Sequence, residues 1–399
     1  MNLRRRGVRL FLLAVIAIIG GLAVLGHGSS QSPRSRQPDL AQLIAASSAS
    51  GFARADAPRI FRFPADYGPH LAYRTEWWYF TGNLHTAGGR RFGYELSLFR
   101  IALSPKAPSR RSHWASNQIY MAHFAYTDVQ GKRFRYFQRF ERAAIGLAGA
   151  KAKPFRVWVD NWGVETLHGD KPPWRLHASA DGANLELDLT PLSAPILQGD
   201  RGLSRKSAAA GNASYYYSLP RLATRGTFTL NGQTFSVDGL SWMDREWSTS
   251  ALATNEVGWD WFGLQLSDGS DLMFYRLRHN DGSIDPFSQG SLVDAQGHIE
   301  RLSAKDVRVT VLSHWRSPHG GIYPAGWRLV IARLHLALTV TPVLSDQELD
   351  VAVRYWEGAV NVRGRRGDAP ISGTGYVELT GYARKKHTTS AQVGRAPLQ

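Results

Sequence analysis

The sequence predicts an all-β protein built from antiparallel hairpins, and three observations carry that prediction. From residue 60 onward the chain runs in short segments rich in Tyr, Phe, Trp, Val and Thr, the residues that pack best on a pleated surface. Turn signals stand where hairpins need them, at Gly88-Gly89, Gln130-Gly131, Asp181-Gly182, Asn231-Gly232, Asp268-Gly269, Asp281-Gly282 and Gln296-Gly297. Several of these supply the positive-φ residues that two-residue loops demand. Beyond the N-terminal leader no long segment carries the period of an amphipathic helix. Barrels and sandwiches are the architectures that fit such a pattern.

The elements follow in order. Residues 10–25 form an uncharged apolar run preceded by Arg4, Arg5, Arg6 and Arg9, the two-part pattern of an export signal. The run is slightly short of the roughly 20 residues that a spanning helix needs. Residues 1–28 therefore read as a signal peptide or N-terminal anchor, with the rest of the chain exported to the periplasm or the periplasmic face of the inner membrane. Residues 29–58, rich in Ser, Ala, Pro and Gln, read as a linker with one short helix at 39–46. Strands are expected at 76–85, 91–103, 118–128, 132–140, 155–165, 174–180 and 183–190. After an irregular stretch they resume at 226–230, 233–237, 259–266, 271–278, 288–293, 307–315, 326–331, 334–340, 351–362 and 374–382.

An internal echo divides this array. Trp77, Phe80 and Leu84 recur as Trp259, Phe262 and Leu266, at a constant offset of 182 residues. Each set is followed by a Gly turn and a second strand ending in Arg. Such an offset suits a tandem pair of similar β domains, assigned to residues 59–235 and 236–385, with a tail at 386–399.

Composition narrows the chemistry. The chain of 399 residues has no cysteine, which excludes disulfides, a thiol nucleophile and Cys-ligated metals. Its net charge of +16 is dispersed over loops, with no phosphate loop, zinc finger or RNA-binding signature. That distribution suits solubility or an anionic membrane face better than nucleic-acid readout. No G-x-S-x-G elbow, H-E-x-x-H or close His pair is present. Neither a metal nor a cofactor is expected.

Two segments stand apart, because both set carboxylates among tryptophans: residues 73–82, containing Glu76, and residues 241–248 with 258–262, containing Asp244 and Glu246. Strand alternation puts Glu76, Trp78 and Phe80 on one face, with Trp77 and Tyr79 on the other. It likewise groups Trp242, Asp244 and Glu246, and sets Trp259 and Trp261 opposite Asp260. A carboxyl group surrounded by indoles loses water and can stay protonated near neutrality. It could then protonate a C=C bond, leaving a cation for aromatic faces to stabilise. The competing reading pairs these carboxylates with Arg74, Arg245 or another buried arginine, as fasteners. The tryptophans either fill cores or line an apolar cavity such as a barrel encloses around a greasy ligand. Tyr216, in the triplet Tyr215-Tyr216-Tyr217, adds hydroxyls to that cavity or belongs to an ordinary strand. His123 reads as a structural residue or one that faces the cavity.

The strings TEWWYFTGNL (75–84), RFGYELSLFR (91–100), NASYYYSLPRL (212–222), GLSWMDREW (239–247), GWDWFGLQL (258–266) and GYVELTGY (375–382) resemble the AttH-like, carotenoid 1,2-hydratase-like family of exported bacterial proteins. That resemblance implies two tandem lipocalin-like antiparallel β-barrels. It also implies either cofactor-free addition of water to a polyene or isomerisation of a hydrophobic substrate. In this frame Asp244 is the expected general acid, with Glu246 and Glu76 as further acidic candidates. The expected ligand-binding residues are Trp78, Phe80, Tyr216, Trp242, Trp247, Trp259 and Trp261.

Three functions compete. The leading expectation is an exported protein that binds a long lipid- or terpenoid-like molecule, between or within its barrels. Its expected partners are that hydrophobic molecule and the inner-membrane surface or a transporter. The alternative is a hydratase or isomerase acting by carboxylic-acid protonation of a C=C bond. A secreted hydrolase ranks third.

Overall fold

In a computed structural model the described residues fold into two large sheets of similar strand order and a two-stranded ribbon, His314–Arg316 with Ile322–Pro324. The structure describes residues 50–106, 109, 112–249, 252 and 255–383; the leader, most of the linker with its short helix and the C-terminal tail lie outside the described residues. The first sheet has 13 strands. Its path runs from the edge strand Arg133–Arg142 through Gln118–Asp128 and Arg91–Ala102 to Thr75–His85. It continues through Gln233–Ser248, Ala213–Leu230, Ala183–Pro191 and Trp174–Ala180, and ends on three short strands. The second sheet has 10 strands and begins at Ile299–Ser303, Gln289–Val293, Asp271–His279 and Glu256–Leu266. It proceeds through Ala369–Leu379, Tyr355–Arg366, Leu336–Pro342 and Trp327–Ile331 to Arg308–Val311. All pairings are antiparallel, and the only helical elements among the described residues are two 3-10 turns. The architecture is lipocalin-like, a nearly closed barrel with a half-barrel.

In each sheet the last strand in sequence lies beside the first. The 182-residue echo follows from this shared topology. Trp77 and Trp259 stand on the two opening strands, Phe80 and Phe262 point into the two cores, and Leu84 and Leu266 follow them. Asn231-Gly232 and Asp181-Gly182 turn with positive φ at both residues, at 50° and 83° and at 45° and 76°, as tight hairpins require.

Three expectations are corrected. Residues 155–165 form two strands, Phe155–Val159 and Trp162–Thr166, because Asp160 takes φ 53° and reverses the chain. The segments 226–230 and 233–237 are the tips of a long hairpin, Ala213–Leu230 with Gln233–Ser248. Pro220, at a bulge between Leu219 and Leu222, and the charged run Asp244-Arg245-Glu246 hide its length in the sequence. That hairpin belongs wholly to the first sheet, so the division falls after Ser248 rather than at 235/236.

Both cores are filled. One surrounds Trp78, Trp162, Trp174 and Trp247, the other Trp327 and Trp356. A third apolar cluster joins the outer faces of the two sheets, through Tyr79, Tyr216, Trp242, Trp261, Tyr275 and Tyr376. The sheets approach closely at Gly93, where an added Cβ would lie 2.6 Å from the Tyr376 hydroxyl and 2.8 Å from Ala359 Cβ. Asn83 Nδ2 donates to Gly375 O at 3.1 Å, Thr127 Oγ1 to Gln347 Oε1 at 2.8 Å, and Arg221 pairs with Asp271 at 2.8 Å.

Candidate active site between the barrels

Alternation along each strand decides which side chains meet at the junction. On Thr75–His85, Trp78 and Phe80 turn inward, so Trp77 and Tyr79 turn out. On Gln233–Ser248, Met243 and Trp247 are inside, so Trp242, Asp244 and Glu246 face the second barrel. On Ala369–Leu379, Val377 and Leu379 are inside, so Glu378 is out. The outward groups line a pocket that opens to solvent. Its aromatic wall is Trp77, Tyr79, Phe99, Trp259, Trp261 and Tyr275; its polar groups are Asp244, Glu246, Glu378, Lys206, Tyr216 and Tyr355.

Register relates the two halves of this wall. Asp244 lies opposite Tyr79 on its neighbouring strand, and Glu378 lies opposite Trp261. Tyr79 and Trp261 are separated by the echo's own 182 residues, so Asp244 and Glu378 occupy equivalent places in the two barrels. Ser218 pairs with Asp244 and Glu357 with Glu378. Two residues back on those strands stand Tyr216 and Tyr355, a second equivalent pair. The tandem architecture therefore aims two acids and two phenols into one space.

The environments of these acids differ. Asp244 accepts from Ser218 Oγ at 2.6 Å and Trp242 Nε1 at 2.7 Å on one oxygen, and from the Tyr216 hydroxyl on the other. Burial still dominates and pushes its carboxyl up to about 7, with Glu246 adding repulsion. Glu378 accepts a single hydrogen bond among the described residues, from Trp259 Nε1 at 2.9 Å. Burial, then the charges of Glu95, Glu246 and Asp244, push it up to about 8 against that bond. Glu246 is held by Lys206 at 3.1 Å, and the ammonium sits 4.2 Å from the centre of the Tyr275 ring. Burial would lower Lys206, but Glu246 and Tyr275 outweigh it and keep the ammonium charged.

Several of the expected residues take other places. Glu76 is fully buried between Arg100 and Arg245, with the His70 amide 2.9 Å from one oxygen. Burial would raise its pKa, but the two guanidinium groups outweigh that and hold the carboxyl well below the usual range. Glu76 is a fastener, and the Arg245 guanidinium continues the assembly by lying 3.9 Å over the Trp78 ring. Trp78, Phe80 and Trp247 belong to the first barrel's core, with His70 stacked on Trp247 at 3.7 Å. They do not line the cavity because they occupy the inward positions of their strands. Tyr216, Trp259 and Trp261 line it, while Trp242 supports Asp244 from behind. Asp260, opposite Trp259 and Trp261, binds Arg276 and Arg278.

Sequence reasoning passed over Glu378, Trp77, Tyr79, Lys206 and Tyr355. The echo relates Tyr79 to Trp261, but the step from Asp244 to Glu378 also needs the register of both strand pairs, which the sequence does not carry. Nothing local marks Lys206, which comes from the irregular stretch. Among the described residues one group, Glu256, His279 and Asp285, has donor atoms within 4.8 Å of one another, as a metal site would need. None of the three lines the cavity, and His279 is held by Asp285 at 2.8 Å and Ser283 at 2.9 Å.

Comparison with known proteins adds a family to this geometry. The AttH-like family model matches residues 54–382. The crystal structure of an AttH protein from Nitrosomonas europaea is similar at 35% identity and a TM-score of 0.74, covering 82% of this chain and 100% of that one. Kievitone hydratase from Fusarium solani subsp. phaseoli is 22% identical over 244 residues, which is 59% of this chain and 68% of that protein. The crystal structure of kievitone hydratase from Nectria haematococca shares the fold at 16% identity and a TM-score of 0.63, covering 83% of this chain and 96% of that one. From residue 54 to residue 382, across both barrels and the cavity between them, the chain belongs to the AttH-like family.

Proposed function

We propose that this protein is a cofactor-independent hydratase that adds water across a C=C bond of an apolar substrate held between the barrels. The observation that carries the proposal is Glu378, a carboxyl raised to about 8 that opens on an aromatic-walled cavity. At neutral pH such a group is mostly protonated and can act as a general acid. Its O–H bond breaks as a C–H bond forms on the alkene. The resulting cation lies against the faces of Trp77, Trp261 and Phe99. A water oxygen bonds to the cationic carbon, and its proton passes to Asp244, which at about 7 is ionised often enough near neutrality to accept it. Glu246, tied to Lys206, keeps that side of the cavity polar. The similarity to kievitone hydratase supports this reading over simple storage of a ligand, which uses none of the raised acids. We place the activity outside the cytoplasm, on the leader pattern at 1–28; deleting that segment should retain the protein in the cytoplasmic fraction.

The test uses kievitone as probe in heavy-oxygen water. Wild-type protein should yield a product one water heavier that carries the labelled oxygen. Glu378→Gln should lower kcat by about 100- to 10,000-fold, the usual share of a general acid, and leave probe binding nearly intact. A wild-type protein that binds the probe and returns it unchanged would favour the carrier function instead.

A further inference from the structure

Behind the cavity wall lies a polar network that the hydration steps do not use. Glu95 is 1% exposed. Its Oε1 accepts from Ser97 Oγ at 2.7 Å and from the Tyr355 hydroxyl at 2.9 Å, while its Oε2 has no hydrogen-bond partner. Tyr355 comes from the second barrel and lines the cavity. Its oxygen lies 2.8 Å from His123 Nδ1, and His123 Nε2 lies 2.8 Å from Gln138 Nε2.

The directions of these bonds can be worked out. Gln138 Oε1 accepts the Ala352 amide at 3.2 Å, so its NH2 faces His123. Nε2 of His123 is then the acceptor, which leaves the ring proton on Nδ1, donating to Tyr355. Burial lowers His123 to about 3, so this neutral tautomer persists at ordinary pH. The Tyr355 oxygen thus always receives one donor, and the single open question is where its own proton points.

Glu95 decides that. When Glu95 is ionised, the Tyr355 proton is drawn to Oε1. When Glu95 is protonated, its own O–H donates to the Tyr355 oxygen, which then accepts two bonds. The phenol proton is left with the cavity as its outlet. A bare, buried carboxylate oxygen disfavours ionisation. Burial raises Glu95 against the hydrogen bonds from Ser97 and Tyr355; its charge in turn raises Tyr79, Glu357, Tyr376 and Glu378 around it, His123 reaches it only through Tyr355, and no Lys or Arg pairs with it among the described residues. Burial accordingly sets its pKa at about 7.

We propose that Tyr355 is a hydrogen-bond donor to the cavity, switched by the proton on Glu95 and positioned by His123. Its target is an acceptor oxygen on the bound molecule, so the preferred ligand is an oxygenated unsaturated compound and not a bare hydrocarbon. Tyr216, the equivalent phenol of the first barrel, is occupied by Asp244; Tyr355 is the one that can be released. The inference deepens the hydration reading by naming its substrate class, but its test needs no turnover.

The test compares binding of fluorenone and fluorene, which differ by one carbonyl oxygen. At pH 6 wild type should prefer fluorenone about fivefold, the share of one net neutral hydrogen bond. The preference should fade as pH rises through about 7. Tyr355→Phe should bind both probes alike at every pH. Glu95→Gln, permanently neutral, should keep the preference and lose its pH dependence. A fluorenone preference retained by Tyr355→Phe, absent from wild type, or still titrating in Glu95→Gln would overturn the proposal. A protein that shows the full binding pattern yet hydrates nothing would discard the hydratase reading alone.

Discussion

Glu76 separates a fastener from a catalyst, and Glu76→Gln tests which it is. The substitution keeps size and shape but removes the charge that sits between Arg100 and Arg245. Both arginines keep other partners. Arg100 retains Gln118 Oε1 and Tyr73 O, and Arg245 retains Gly68 O at 2.7 Å and the Trp78 face. None of these neutralises two guanidinium groups that are themselves fully buried. Removing one partner of a buried ion pair costs about 3–5 kcal/mol, which for a domain of this size lowers the melting temperature by on the order of 10 °C. The pH dependence follows from the direction of the shift. The folded carboxyl is held well below its unfolded value, so its contribution is complete above about pH 5 and disappears as pH falls toward the folded value. Calorimetry across pH 3 to 7 should therefore show wild type and variant furthest apart at neutrality and converging in acid. Binding of fluorenone by the folded variant should be unchanged. A variant as stable as wild type at neutral pH, but inactive, would refute the structural assignment and return Glu76 to the mechanism.

Other outcomes follow from the same arrangement. Glu378 and Asp244 have raised values of about 8 and about 7, the opposite sense to Glu76. Their stabilising contribution is complete below the unfolded carboxylate range and is lost progressively as pH rises from there through the folded values of about 7 and about 8, so Glu378→Gln should flatten the decline of the melting temperature between about pH 5 and about pH 8. Trp259→Phe removes the indole donor that lowers Glu378 while keeping a ring in the wall; the alkaline limb assigned to Glu378 in a pH–rate profile should move upward. An unmoved limb would detach Trp259 from Glu378.

The sequence made the architecture readable at the level of hairpins. Turn glycines, aromatic strands and the echo are local signals, and each survives in the folded chain. Readings failed where a strand's identity depended on its neighbours. The segment from Ser241 to Ser248 is missing from the expected strands, yet its charges are tolerated in a strand because Arg245 points to Glu76 and Asp244 to Ser218.

The candidate site shows the same limit. Alternation grouped Trp242, Asp244 and Glu246 without any coordinates, and it correctly split Trp77 and Tyr79 from Trp78 and Phe80. It could not say which face of the first strand looks inward. Both faces are aromatic, so hydrophobicity carried no sign.

What the sequence determined by itself is therefore an all-β chain, its tandem repetition and the grouping of Trp242, Asp244 and Glu246 on one face. Those are properties of short segments and their spacing. Only the tertiary structure decided that the cavity lies between the outer faces of the two sheets, that Glu76 sits between two buried arginines, and that Glu378 and Tyr355 line the cavity. The reason is physical. A pKa and a cavity belong to groups brought together from distant strands, and their burial exists only once the two outer faces have met.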